Sequence, residues 1–215
     1  MRLLLIRHAQ TTWNAAGRVQ GQADPPLSPR GREQCSALAR RMAGQQIDAL
    51  HSSDLERARL TAAAVAGATG LAVQLEPGLR EVGLGQWEGI DGKRLREEYP
   101  EQHRRWLAEP TWDIVPGGEG SAAFTERVMQ TLSRLLKGRT DDATVALVTH
   151  IGVIRTVLST VAGLQSRVLR WPWAIDNTGI TTLLGPSDVG LWSTPALQIV
   201  AVNDADHLSG IGGPA

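Results

Sequence analysis

Apolar residues follow two rhythms along this chain. Short unbroken runs at Leu3–Ile6, Ala49–His51, Thr144–Thr149, Thr181–Leu184 and Gln198–Val202 have the length of buried strands. Between them lie longer, Ala-rich segments whose spacing predicts helices over Pro29–Ala43, Asp54–Ala66, Leu95–Leu107, Ala122–Leu136 and Val153–Ala162. Such alternation predicts an α/β fold, with largely parallel strands covered by helices on both faces. Two helix starts carry capping signals. Ser28 before Pro29 reads as an N-cap and first helical residue. Ser53 with Glu56 reads as a capping box ahead of Leu55, Ala58 and Ala62.

The rhythm breaks over residues 83–120, which are rich in Gly, Trp, Pro and charge. This stretch is expected to form a small lid or insertion on a single domain of residues 1–215. Residues 209–215 read as a frayed Gly/Pro tail.

Composition narrows the function. With 22 basic and 22 acidic residues, no overall field favours nucleic acid or an anionic membrane. All the basic residues but Lys93 and Lys137 are arginines, the side chain that grips phosphate with a rigid fork of donors. The lone Cys35 forbids an internal disulfide and reads as a small buried hydrophobe. Without a long apolar run or a signal peptide, the expectation is a soluble cytoplasmic protein.

Polar residues gather at strand ends, where parallel sheets bind ligands. The run "LLLI" ends in Arg7 and His8, and "TVALVT" ends in His150 followed by Ile151 and Gly152. Arg57 and Arg59 open a helix, where a cation opposes the macrodipole unless an anion lies close by. "LREVGLGQWEG" supplies two carboxylates, Glu81 and Glu88, and spacing does not choose between them. No GxxxxGK[ST], HExxH or GxSxG motif occurs. What remains is a cationic pocket with a histidine nucleophile, suited to a phosphoryl group.

These residues resemble the histidine phosphatase superfamily, also called phosphoglycerate mutase-like. "RHAQTTWN", "GQADPPLS", "SSDLERARLTA", "LREVGLGQWEG", "PGGEG", "VTHIGVIR" and "NDADHL" follow in the family's order across nearly the whole chain. The resemblance implies a three-layer α/β/α sandwich around a mostly parallel sheet. It implies His8 as the nucleophile that becomes phosphohistidine. Arg7, Arg57 and His150 would bind the phosphoryl oxygens, and Asn14 would add a hydrogen bond. Glu81 would protonate the leaving alcohol and then activate water. Gln20, Gly21, Ile151 and Gly152 would meet the substrate.

No metal or other cofactor is implied. The partners implied are a phosphomonoester and the inorganic phosphate released from it. A homodimer is allowed, although nothing in the sequence reads as a coiled-coil seam. Two departures stand out: Ala9 where Gly is usual, and Ile151 between His150 and Gly152 where HGG is usual.

Within the family, the short segment after Gly92 lacks the proline-rich partner of the mutases. It favours the phosphatase branch over phosphoglycerate mutase-type transfer or a non-catalytic phospho-ligand sensor. Broad-specificity and α-ribazole phosphatases are similar, and a sugar phosphate stays open as substrate. Trp87, Trp106, Trp112, Trp171 and Trp173 are read first as packing and second as an apolar wall for the leaving group. His51 is expected to cap a strand, His103 to sit in a charged helix, and His207 to be structural.

Overall fold

A computed structural model describes residues 1–164, 174–186 and 197–211. Its strands are β1 (Arg2–Arg7), β2 (Ala49–Ser52), β3 (Val73–Leu75), β4 (Thr144–Thr149), β5 (Ile180–Leu184) and β6 (Gln198–Asp204). Its helices are α1 (Thr12–Ala15), α2 (Pro29–Met42), α3 (Glu56–Thr69), α4 (Gly92–Glu98), α5 (Pro100–Ala108), α6 (Ser121–Leu136) and α7 (Ile151–Val161). The strands form one sheet in the order β3-β2-β4-β1-β5-β6. β3, β2, β4 and β1 run parallel, whereas β5 and β6 are antiparallel to their neighbours.

Alternation along the central strands makes the three layers. Leu3 and Leu5 of β1, with Val145 and Leu147 of β4, share a core with Phe124, Val128 and Leu132 of α6 and Val153 and Val157 of α7. Leu4, Ile6, Ala146 and Val148 point the other way, onto Leu38 and Met42 of α2 and Ala58, Ala62 and Val65 of α3. Both strands read as continuous apolar runs because both of their faces are buried.

Several elements depart from the sequence reading. The helix expected over Leu95–Leu107 is two helices, because Pro100 lacks the N–H a helix interior needs and starts α5 instead. β3 went unseen in the sequence because it is a three-residue strand at the sheet edge with Leu75 exposed. Ser28 caps α2 as expected, accepting from the Gly31 N–H at 2.9 Å. Ser53 does not cap α3. Leu55 holds the N-cap position without a side-chain bond, and Asp24 from a distant loop accepts the Glu56 N–H at 2.5 Å. His51 is not a strand cap either. It lies inside β2 opposite Leu147, with both ring nitrogens buried and unpartnered.

Residues 83–120 contain α4, α5 and two short 3-10 turns. Trp106 bridges the ring of Trp87, at 5.9 Å, and that of Trp112, at 5.0 Å. Trp171 and Trp173 lie outside the described residues, as do residues 212–215 of the expected tail. Ser209 and Ile211, its first part, donate to the Asp206 and Leu208 carbonyls. Among the described residues, no helix is long and apolar enough to cross a membrane.

Candidate active site

The parallel register of β1 and β4 puts Arg7 opposite Thr149, so the next residues, His8 and His150, leave the sheet side by side. Their rings are 5.1 Å apart between centroids. Residues 175–179 hold this strand end from the other side. The Arg7 N–H donates to the Gly179 carbonyl, and the Thr178 N–H donates to the Arg7 carbonyl. The Asn177 amide donates to the His8 carbonyl at 2.9 Å, and Arg7 Nη1 donates to the Ile175 carbonyl at 2.5 Å. Thr178 adopts φ 64°, a costly setting for a β-branched side chain. Its hydroxyl donates to the Asn177 carbonyl, so it accepts from His207 Nε2 at 3.0 Å. His207 is thereby a support for the loop, as the sequence reading had it.

The tautomer of His8 follows from its partner. Its Nδ1 lies 2.8 Å from the Ala9 carbonyl, which only accepts, so Nδ1 carries the proton and Nε2 carries a lone pair. Burial, then Arg57 and Arg7, push the His8 pKa well below the usual range, leaving the ring neutral at pH 7. His150 is depressed as well, by burial first and then by Arg57. Its Nε2 meets Ser53 Oγ at 2.8 Å, which is where the hydroxyl expected to cap α3 has gone. Its Nδ1 is buried without a partner.

Arg57 sits in the first turn of α3 and is 1% exposed. The polar groups that offset its unfavourable place on the macrodipole belong to the loop before α2. Arg57 donates to the Gly21 carbonyl at 2.7 Å and the Ala23 carbonyl at 2.6 Å, and lies 3.4 Å from Asp24. Arg59 points to solvent and pairs with Glu56. It takes no part in the site.

The two glutamates separate cleanly. Glu88 accepts backbone N–H groups from Gln22, Ala23 and Leu84, tying two loops together. Gly21, at φ 55°, is required there, because a Cβ would stand 2.2 Å from Glu88 Oε1. Glu81 lines the cavity instead. Its oxygens accept from the Val82 and Gly152 N–H groups, at 2.9 and 3.1 Å. Burial raises its pKa against the pull of those two bonds and of Arg57 and Arg7. Such a carboxyl holds its proton at higher pH than a solvated one.

A cavity of about 190 Å³ brings Arg7, His8, Arg57 and Glu81 together with Asn14, Gln20, Gly21, Ile151 and Gly152. His150 does not line it; it meets the site through the His8 ring. The Gly152 N–H, expected near phosphate, is committed to Glu81. Asn14 anchors its Oδ1 on the Thr11 N–H at 3.1 Å, and none of its described bonds uses Nδ2. Gln20 accepts from the Thr11 hydroxyl at 2.9 Å. Ala9 packs with Leu27 and Cys35 and donates its N–H to Thr61, so its extra methyl is accommodated away from the cavity.

Sequence reasoning missed two cavity arginines, Arg18 and Arg155, and the part Ser53 plays beside His150. Arg155 had one available signal, its spacing of three from Gly152 and four from Ile151 on one helix. Trp112 reaches the cavity wall as well, while Trp87 is core. Among the described residues, no three His, Cys, Asp or Glu side chains gather where a metal could sit.

Comparison with known proteins gives the family. The family model described as "Histidine phosphatase superfamily (branch 1)" matches residues 3–191. Phosphoserine phosphatase 1 of Hydrogenobacter thermophilus is 35% identical over 183 residues, spanning 85% of this chain and 86% of the relative. The adenosylcobalamin/alpha-ribazole phosphatase of Escherichia coli is 34% identical over 177 residues, spanning 82% and 86%. A solved mycobacterial glucosyl-3-phosphoglycerate phosphatase, in complex with VO3, superposes with TM-score 0.80 at 31% identity, covering 94% of this chain and 98% of its own. The chain therefore belongs to the histidine phosphatase superfamily, branch 1.

Proposed function

We propose that this histidine phosphatase hydrolyses small phosphomonoesters through a covalent phosphohistidine on His8, with Glu81 as general acid and then general base. One observation carries the reading: His8 Nδ1 is bonded to the Ala9 carbonyl, which leaves the Nε2 lone pair for phosphorus. Arg7 Nε and Arg57 Nε are buried on the cavity wall without partners, as donors waiting for an anion would be. Burial brings the Arg7 pKa down to about 10, so it is still charged at neutral pH.

In the first step His8 Nε2 forms a bond to phosphorus and the bond to the leaving oxygen breaks. That oxygen keeps the electron pair and takes the proton of Glu81. The ring gains positive charge, which the Ala9 carbonyl stabilises through Nδ1–H. Arg7, Arg57 and the Asn14 amide hold the equatorial oxygens. In the second step water attacks phosphorus, Glu81 takes its proton, and the nitrogen–phosphorus bond breaks to release inorganic phosphate. The relatives' names support a small phosphomonoester as substrate.

The test is phosphate release from p-nitrophenyl phosphate and a panel of metabolite monophosphates, with EDTA present. Wild type should turn over and His8→Ala should not. Activity that survives His8→Ala, or that EDTA abolishes, contradicts the proposal.

A further inference from the structure

Four guanidinium groups line the cavity: Arg7, Arg18, Arg57 and Arg155. The phosphoryl group occupies Arg7 and Arg57. Arg18 is already engaged, donating from Nε to the Gly89 carbonyl at 2.7 Å and lying 4.6 Å over the Trp13 ring. Arg155 differs from the other three in its partners. Arg7 and Arg57 also donate to backbone carbonyls, at Ile175, Gly21 and Ala23, whereas no described hydrogen bond or ion pair engages the Arg155 guanidinium, whose Nε is buried. Burial lowers its pKa, and the acid whose charge opposes that effect is Glu81. Glu81 is no fixed counter-charge, since it gives up and regains a proton in every turnover. A dianionic phosphoryl group leaves this wall with surplus positive charge on Arg18 and Arg155, and of the two only Arg155 has a guanidinium not committed to a described partner.

The position of Arg155 says where that charge would be met. It stands three residues after Gly152 on α7, one turn or about 5 Å farther along the helix. That offset matches a second anion on the leaving group, a few bonds from phosphorus. The planar fork of arginine fits a carboxylate with two parallel bonds. A carboxylate also suits a cavity of about 190 Å³, well under the roughly 300–1,000 Å³ of pockets for drug-sized ligands. We infer that Arg155 is a specificity-determining residue that selects phosphomonoesters whose departing alcohol carries a carboxylate. The inference rests on the hydrolysis proposed above.

The experiment compares kcat/KM for 3-phosphoglycerate with that for glycerol 3-phosphate, which lacks the carboxylate, and for glycerol 1,3-bisphosphate. Wild type should prefer 3-phosphoglycerate over glycerol 3-phosphate by roughly 10- to 100-fold, the range for a bond between charged groups. Arg155→Gln should bring that ratio close to one, mainly through KM, and Arg155→Lys should restore part of it. Equal rates in wild type, an equal loss on both substrates in Arg155→Gln, or a preference for the bisphosphate would overturn the assignment. If wild type hydrolyses none of the three, the hydrolytic proposal has failed. Calorimetric affinities of wild type for the same compounds then decide on Arg155: a preference for 3-phosphoglycerate supports it and equal affinities overturn it.

Discussion

Gly152 has no side chain because Glu81 occupies the space: a Cβ there would stand 2.1 Å from Glu81 Oε1, while the Gly152 N–H donates to Oε2. Its backbone is ordinary helix, so alanine brings no strain of its own. Gly152→Ala should therefore leave Tm nearly unchanged and displace the proposed proton donor, Glu81. We expect kcat to fall by about 100-fold, the low end for loss of a positioned acid. Steady-state kinetics beside a melting curve check this, and unchanged kcat would refute the contact.

Glu81→Gln removes the proposed acid and base but keeps a hydrogen-bonding amide. With p-nitrophenyl phosphate the leaving phenolate needs little protonation, so the first step should survive while hydrolysis of the intermediate slows by roughly 10²- to 10⁴-fold. Rapid mixing should show a burst of p-nitrophenol near one equivalent of enzyme, followed by slow turnover. With a metabolite monophosphate, whose leaving alkoxide does need the proton, the alkaline limb of the wild-type kcat/KM profile should follow Glu81 losing its proton and should vanish in this variant. The acid limb, set by protonation of His8 below its ordinary range, should remain.

The histidines also set acid stability. His8, His150, His51 and His207 all have depressed pKa values, chiefly through burial. Each binds fewer protons folded than unfolded below about pH 6.5, so their contribution is complete above that pH. It is lost as pH falls toward the folded-state values. Glu81 runs the other way, opposing stability as pH rises past the ordinary carboxyl range. Tm should drop between pH 7 and 5, and His51→Leu, which removes two unpartnered buried nitrogens, should shrink that drop. An identical slope in the variant would contradict the role of His51.

Asp24 caps α3 and lies against Arg57. Asp24→Ala should cost about 1 kcal/mol of capping energy, or roughly 2–4 °C in Tm. KM should rise a few-fold with kcat little changed, because Arg57 keeps its bonds to the Gly21 and Ala23 carbonyls. Differential scanning calorimetry and initial rates test both halves.

Legibility in the sequence followed the range of the interaction. β1 and β4 were readable because each is a doubly buried run that ends abruptly in polar residues. Their adjacency, which brings His8 beside His150, is a matter of strand order that no local pattern encodes. The Ser53 cap failed because two long-range contacts rearranged it: His150 took the hydroxyl and Asp24 took the helix N–H groups. Glu88 and Glu81 look alike in one loop, and only the folded neighbours separate a loop clamp from a carboxyl that lines the cavity. Arg155 hid on an apolar helix whose neighbours pack normally; its significance appears only with the cavity it faces.

The most direct test is to trap the phosphoenzyme. Glu81→Gln, mixed with p-nitrophenyl phosphate and quenched in alkali, should yield one phosphoryl group on the peptide containing His8 by mass spectrometry. That adduct should be lost on acid treatment and should be absent from His8→Ala. A phosphoryl group on another residue, or wild-type turnover with no phosphoenzyme under any quench, would contradict nucleophilic catalysis by His8.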